Sequence, residues 1–327
     1  MNRRAICRSL ALLPFAAALP ATAQPAPMFR VAWVSSDRAG SNSPSLEAFR
    51  AGMRELGYVE GRNLAIDVWW GEGSTERLEQ SMGDILRAKP DVIVAQGGQA
   101  LRPILNAGVK LPIVFGMSAD PVEAKVVASF ARPGGNVTGM SFFALDLVGK
   151  RMELIKEVLP GIRRLAVIAN PEHPGEQKEL AVSQAAADKL GLTLHYLPVR
   201  TGAELETALA SIAKARDGAI LAFADAFTLS YADRFAEFSL RQRIPAIAGW
   251  AAFARRGNLM TYGPVIDDSY RRMAAYVDRL RKGAKPADLP IEFPTKVELV
   301  VNAVAAKAIG ITIPPSVLAR ADEVIRS

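Results

Sequence analysis

The sequence predicts an α/β protein of two similar lobes, each a parallel sheet flanked by helices. Short apolar runs rich in β-branched residues alternate along the chain with segments whose apolar residues recur every three or four positions, as strands and helices do. Two such series occur, and their openings, RVAWVSSD from Arg30 and RLAVIANP from Arg164, lie about 134 residues apart. A chain of 327 residues, 50% of them hydrophobic, can bury two such cores.

The first series opens with a strand and a clearly delimited helix. Phe29–Ser35 is an apolar run of the kind that is buried on both faces of a parallel sheet. Ser43 and Pro44 predict a capped helix start, and Gly57 ends the helix. The elements that we predict next are strand 64–69, helix 74–88, strand 92–95, helix 99–106, strand 113–115 and helix 121–130.

The second series repeats this alternation. Its predicted strands are 165–169, 193–197, 219–222, 246–248 and 259–262, and its predicted helices are 176–190 and 203–215. The long period favours two tandem domains over a solenoid, whose repeats span roughly 20–50 residues. Because parallel sheets bind ligands at the carboxyl ends of their strands, two facing lobes would share one ligand cleft.

Residues 1–23 predict a secretory signal peptide. A basic stretch ending near Arg8 precedes an apolar stretch, and small residues at 21–23 form a cleavage site. The apolar stretch is too short for a membrane anchor, which needs about 20 apolar residues. The residues after the pair Arg3-Arg4 suit twin-arginine export poorly, so we expect general export to the periplasm.

Charge and cysteine content exclude several kinds of site. The lone cysteine, Cys7, lies inside the predicted signal, so the mature chain has no thiol for a nucleophile, a disulfide or a zinc site. Three of the cationic residues behind the net charge of +7 also lie there, and no basic run is longer than a pair. We therefore expect no nucleic-acid partner, metal or cofactor.

Six stretches carry a resemblance to a known family. They are ELGYVEGRNLAIDVWWGEGSTERL (55–78), DVIVAQGG (91–98), PIVFGMSADPV (112–122), ARPGGNVTGMS (131–141), GKRMELIKEVLP (149–160) and KGAKPADLPIEFPTKVELVVNAVAAKAIGITIPPSVLARADEVI (282–325). Together they resemble the ABC-transporter substrate-binding proteins of the tryptophan/tyrosine-uptake-like family.

The resemblance implies a type I periplasmic-binding-protein fold, in which two Rossmann-like lobes joined by a three-strand hinge close over a small ligand. It also implies delivery of that ligand to an inner-membrane ABC permease with its ATPase, and known ligands in the family include aromatic amino acids. In such folds the chain crosses between lobes three times, so a helix around 269–282 should return to the first lobe. The predicted lobes comprise 29–138 with 263–290, and 139–262 with 291–327. We expect a monomer.

Two loops depart from the family pattern. Relatives commonly have Gly-Thr-Pro where this chain has Gly97-Gly98-Gln99, and often Gly-Asp-Pro where it has Ser-Ala-Asp-Pro at 118–121. Both loops would line the cleft, so the family alone does not name the ligand.

An amino-acid ligand needs N–H donors for its carboxylate, and helix N-termini after parallel strands supply them. The glycines among our candidates have an alternative role in a tight turn. The candidates for this anion-binding end are Ser35, Ser36, Asp37, Gly97, Gly98 and Gln99.

Asp120, beside Ser118, and Asp225 are the candidate partners for an ammonium group, because each follows a predicted strand. Asp120 precedes a proline and is therefore also a candidate helix cap, whereas Asp225 has less of a capping pattern. If Asp120 binds the ammonium, Asp120→Asn weakens the ligand at least about tenfold.

The remaining candidates are turn and aromatic residues. Asn136 and Thr138 lie near the first predicted lobe crossing, and Asn170 follows the first strand of the second series. Turn formation is the alternative role of these polar residues. Trp250 and Tyr262 predict a flat wall for an aromatic or otherwise planar ligand.

Two other functional classes stay open beside a transport protein. An enzyme would have to use His173 or His195, and neither lies near a nucleophile elbow or a zinc-binding helix motif. A sensory module for a membrane receptor would use the same lobe closure as a transport protein. We expect a binding protein and not an enzyme.

Overall fold

The computed structural model describes residues 28–39, 43–142 and 145–327. The predicted signal peptide lies outside these residues. Over the described ranges, no helix combines the length and the apolar character that crossing a membrane requires.

Five parallel strands form the first sheet, in the order β2-β1-β3-β4-β5. Helices cover both faces and bury two apolar clusters, one around Trp33 and Phe49 and one around Ile93 and Phe115. The elements are β1 (Phe29–Ser35), α1 (Pro44–Glu55), β2 (Leu64–Trp70), α2 (Thr75–Arg87), β3 (Val92–Gln96), α3 (Gly98–Asn106), β4 (Ile113–Met117) and β5 (Val137–Ser141).

Seven strands form the second sheet, in the order β12-β11-β10-β9-β8-β6-β7, and its β10–β11 pair is antiparallel. The strands are β6 (Arg164–Ala169), β7 (Thr193–Pro198), β8 (Ala219–Ala222), β9 (Ala246–Ala248), β10 (Met260–Pro264), β11 (Val297–Asn302) and β12 (Glu323–Ile325). The helices are α4 (Asp146–Val158), α5 (Glu176–Leu190), α6 (Gly202–Ala215), α7 (Ala226–Ser230), α8 (Ala232–Gln242), α9 (Ala251–Arg255), α10 (Ile266–Arg281), α11 (Ala303–Ala308) and α12 (Pro315–Leu318).

Helix α10 belongs to the first sheet although it follows the last strand of the second series. Its residues Tyr270, Met273 and Val277 are buried in the cluster around Trp33. We call the first sheet with α1–α3 and α10 the first lobe, and the second sheet with the other helices the second lobe.

The chain crosses between the lobes three times, after β5, after β10 and before β11. Before the third crossing, residues 289–292 run beside β5, where Thr138 Oγ1 donates to Leu289 O at 2.7 Å and Ser141 N donates to Glu292 O at 3.0 Å. The second and third crossings meet where Val265 N donates to Lys296 O at 3.1 Å. The predicted boundaries after 138, 262 and 290 fall inside β5, inside β10 and inside the segment beside β5.

The predicted helix 121–130 is wrong. Ala124 N donates to Asp120 O at 2.9 Å, which closes one helical turn. Lys125 then adopts φ of 56°, a left-handed conformation that ends a helix, and the chain continues through turns. The elements that were not predicted are strands β5, β11 and β12 and helices α4, α7, α8, α9, α11 and α12.

Candidate functional site

The carboxyl ends of the parallel strands in both sheets face one cleft, as expected for open α/β sheets. A small cavity lies within it. Its lining comes from the loop after β4, the first crossing, α4, α5 and the loops after β8 and β9. The lining residues are Ser118, Phe142, Leu145, Arg151, Glu179, Ala224 and Trp250.

Two polar contacts join the lobes at this cavity. Ser118 Oγ of the first lobe lies 2.8 Å from His173 Nε2 of the second. Lys178 in the first turn of α5 forms an ion pair with Glu123, which follows Ser118 in the first lobe. The structure is therefore a closed form, in which the two lobes touch across the cleft.

A buried ion pair forms part of the cavity wall. Arg151 Nη1 donates to Glu179 Oε1 at 3.2 Å, and Arg151 Nε donates to Tyr262 O at 2.8 Å. Burial lowers the pKa of Arg151, and the neighbouring Glu179 opposes this effect. Burial raises the pKa of Glu179 to about 7 despite Arg151, because Asp225 and Glu176 add negative charge nearby. Arg151 remains charged despite its lowered pKa, because a guanidinium is not deprotonated in proteins.

Sequence reasoning missed Arg151 and Glu179, although a signal for both is present. Val148, Arg151 and Ile155 lie on the buried face of α4, with spacings of three and four. In α5, Glu176 and Glu179 begin a buried face of the same kind. Since charged side chains are rarely buried without a partner, a charge at an apolar-face position points to a site or an ion pair.

Asp225 is a helix cap, contrary to the prediction that it has little capping character. Its Oδ1 accepts a hydrogen bond from Thr228 N at 2.6 Å, and Asp225 N donates to Thr228 Oγ1 at 3.3 Å, which completes a capping box at the start of α7. Burial raises the pKa of Asp225, and His173 opposes this effect. Burial likewise lowers the pKa of His173.

Asp120 also caps the backbone that follows it. Its Oδ1 accepts hydrogen bonds from Val122 N at 2.8 Å and from Glu123 N at 3.2 Å, which is the geometry of a helix cap on a single turn. Ser118, two residues earlier, lines the cavity and Asp120 does not.

The expected anion-binding residues lie on the first-lobe side of the cleft, outside the cavity lining. Gly97 caps α3 with φ of 86°, and its N–H donates to Gly116 O at 2.7 Å, so this donor is used within the sheet. Gly98 and Gln99 form the first turn of α3.

The loop after β1 supplies the other expected anion-binding residues. Buried Ser35 accepts a hydrogen bond from Asp37 N at 3.0 Å, and Ser36 is also buried. Gln96 Nε2 donates to Asp37 Oδ2 at 3.1 Å. Burial raises the pKa of Asp37, and one of the opposing charges is Arg256 of the second lobe.

Three further candidates serve the fold. Asn136 Nδ2 donates to Val109 O and Leu111 O, at the end of β5 far from the cleft. Thr138 holds the 289–292 segment as described above. Asn170 Oδ1 accepts from Glu172 N at 3.0 Å in a turn after β6.

Of the two aromatic candidates, Trp250 at the start of α9 lines the cavity. The ring of Tyr262 packs against the core of the second lobe, and its carbonyl holds Arg151. The structure thus brings together Ser118 and Trp250 from the predicted set, with the residues that sequence reasoning missed.

Known proteins resemble the chain over most of its length. The "Tyrosine-binding protein" of Clostridioides difficile is 24% identical over 271 residues, which cover 81% of this chain and 77% of that protein. A crystal structure of a conserved domain protein from Vibrio cholerae is 28% identical, with a TM-score of 0.83 over 91% of this chain and 99% of that one. A structure titled as an ABC domain in complex with L-Trp, from Streptococcus pneumonia, is 24% identical, with a TM-score of 0.83 over 91% and 100%.

The family resemblance inferred from the sequence and the two-lobed α/β fold are thereby confirmed. The family described as "ABC transporter substrate binding protein" matches residues 41–325, which is most of the chain. The chain belongs to the substrate-binding proteins of ABC transporters.

Proposed function

We propose that this protein captures an α-amino acid with an aromatic side chain in the periplasm. The monomer would deliver the amino acid to an inner-membrane permease with its ATPase. The observation that carries the proposal is the cavity wall, where the buried pair Arg151–Glu179 and Trp250 line the same cavity.

This combination matches the chemistry of a zwitterion with a ring. Arg151 can attract a carboxylate, Glu179 an ammonium group, and the Ser118 hydroxyl can donate to or accept from either. Trp250 offers apolar surface to a planar side chain. A sugar would need more hydroxyl partners, and a plain carboxylate has no cationic group to place beside Glu179.

The closed lobes support a small ligand held from both sides. The cavity is lined by residues of both lobes. Ser118 belongs to the first lobe and Trp250 to the second, so one small molecule would touch both. Such a ligand favours the closed form over the open form.

Two relatives support the ligand class by their names. One is called a tyrosine-binding protein, and one was crystallised with L-Trp. These names guide the choice of compounds for the first test.

The test is a thermal-shift screen of the purified protein, refolded to remove bound compounds. L-tryptophan, L-tyrosine and L-phenylalanine are compared with benzoate, glucose and L-alanine. An aromatic amino acid at about 100 times its Kd should add about 2.7 kcal/mol to the free energy of unfolding. Stabilisation by benzoate or glucose alone would overturn the proposal.

A further inference from the structure

Four buried ionisable side chains meet behind the cavity. Arg151, Glu176, Glu179 and Asp225 are 3%, 1%, 8% and 5% exposed. They come from α4, from α5 and from the cap of α7. Arg151 pairs with Glu179, and Asp225 and Glu176 add their charges near Glu179, so full ionisation of the three carboxyl groups would leave excess negative charge in a low dielectric.

The three carboxyl groups differ in how well their oxygens are satisfied. Asp225 accepts from the backbone and the hydroxyl of Thr228. Glu176 accepts from Tyr196 OH at 2.5 Å and from Gln177 Nε2 at 2.6 Å.

Glu179 has fewer partners. Within the described residues, the one hydrogen bond to its carboxylate comes from Arg151 Nη1. Glu179 is also the carboxyl group of the three that lines the cavity. A cation entering the cavity would therefore meet the carboxylate that has room for another partner.

We propose that Glu179 receives the cationic group of the ligand and that ligand capture releases the proton that Glu179 holds in the unliganded protein. This rests on the proposed function, because the cation in question is the ammonium group of an amino acid. The proton passes to the solvent, so the charge of the cluster stays balanced when the ammonium enters.

The electrostatic surroundings of Glu179 agree with this exchange. Burial, Asp225 and Glu176 raise its pKa, Arg151 lowers it, and the result is about 7. The two other ionisable groups at the cluster are neutral near pH 7, because burial lowers the pKa of His173 and raises that of Tyr196. An ammonium ion in contact with Glu179 lowers the pKa again.

The sign of the pH dependence follows. Below pH 7 the free protein is protonated at Glu179, so binding must expel the proton, and affinity falls by up to about tenfold per pH unit. Above pH 7 Glu179 is already ionised, so the affinity does not change further with pH. Because the pKa of Glu179 is about 7, more protons are released per ligand at pH 6.5 than at pH 8.

The experiment is isothermal titration calorimetry of the protein with L-tryptophan, in buffers of different ionisation enthalpy at each pH, which counts the protons exchanged. Two analogues distinguish the contribution of the ammonium group from that of the carboxylate. Tryptamine keeps the ammonium group and should also release a proton. Indole-3-propionate lacks it and should release none.

A pair of variants assigns the proton to its residue. Glu179→Gln keeps an oxygen for Arg151 and should abolish both the proton release and the fall in affinity below pH 7. Glu176→Gln removes the same charge one turn earlier on α5, outside the cavity lining. The Glu176→Gln variant should still release a proton on binding, but the pH at which release is half-maximal should be lower, because Glu176 raises the pKa of Glu179.

The outcomes are distinguishable. Binding of L-tryptophan without proton release at pH 6.5, or with unchanged release in Glu179→Gln, would overturn this inference and leave the proposed function standing. Failure of every aromatic amino acid to bind wild-type protein at any pH would overturn the proposed function itself. Circular dichroism of each variant verifies that it is folded.

Discussion

The two aspartates that the sequence singles out as ammonium partners both accept hydrogen bonds from the backbone that follows them. Asp120 holds the turn after β4, and Asp225 holds the start of α7. A carboxylate that caps the backbone in this way contributes mainly to the stability of the fold. The acid that lines the cavity, Glu179, comes from the first turn of helix α5 and not from a strand end.

Substitutions of Asp120 test its role as a cap. Asn caps about as well as Asp, so Asp120→Asn should change neither stability nor ligand affinity, whereas Asp120→Ala should lower the free energy of unfolding by about 1 kcal/mol. Urea unfolding and L-tryptophan titration measure the two quantities. A tenfold loss of affinity in Asp120→Asn, as the sequence-based hypothesis requires, would instead place this carboxylate at the ligand.

The raised pKa of Glu179 also predicts how stability depends on pH without ligand. Between the ordinary value of 4.5 and about 7, the unfolded chain ionises Glu179 while the folded protein keeps it protonated. Its contribution to the free energy of unfolding therefore falls as pH rises through this window, by about 3 kcal/mol in all, and is level above it. Urea unfolding of wild type and Glu179→Gln at several pH values should show a difference that disappears below pH 4.5.

At the scale of elements, the pairing of α1 with α10 attaches the first lobe to the hinge. The two helices approach so closely at Gly52 that a Cβ there would lie 2.3 Å from Arg271 O and 2.8 Å from Ala274 Cβ. The same helix α10 begins directly after the second crossing. Any change in this helix contact therefore reaches the hinge.

Two glycine substitutions test this close approach. Gly52→Ala must push the helices apart, and we expect it to lower the free energy of unfolding by about 1–3 kcal/mol. The control is Gly83→Ala on α2, where the nearest atom to a new Cβ is Arg87 Nη1 at 3.5 Å. Because alanine favours a helix, that variant should gain about 1 kcal/mol. Equal effects of both substitutions would show that the α1–α10 approach is not tight in solution.

At the scale of the whole molecule, closure brings together residues that lie far apart in the chain. The hydrogen bond between Ser118 and His173 and the ion pair between Glu123 and Lys178 both join the segment after β4 to the start of α5. These contacts exist only in the closed form. They stabilise that form together with any ligand held between the lobes.

Replacing His173 should therefore favour the open form. We expect His173→Ala to weaken ligand binding about two- to tenfold, the value of one hydrogen bond, and to increase the radius of gyration measured by small-angle X-ray scattering without ligand. His195→Ala is the control, since His195 pairs with Asp217 at the far end of the second lobe. A control that opens as much as His173→Ala would contradict a specific role of the cross-lobe bond.

The sequence by itself determined the alternating elements, the two-lobed fold class and the family. Strand Phe29–Ser35 and helix Glu176–Leu190 agree with the prediction residue for residue, because apolar periodicity and end signals act within one segment. The prediction of helix 121–130 was wrong, because it relied on the proline at the helix start and did not anticipate the left-handed conformation of Lys125.

Only the tertiary structure decided the site. Arg151, Glu179 and Trp250 lie up to about 100 residues apart, and nothing in their local sequence states that they meet at one cavity. Their meeting depends on how α4, α5 and α9 pack against the second sheet and on closure of the first lobe over it. Packing across such distances is set by the whole set of contacts, so residue spacing alone placed Ser118 and Trp250 in the cleft but could not select the charged pair beside them.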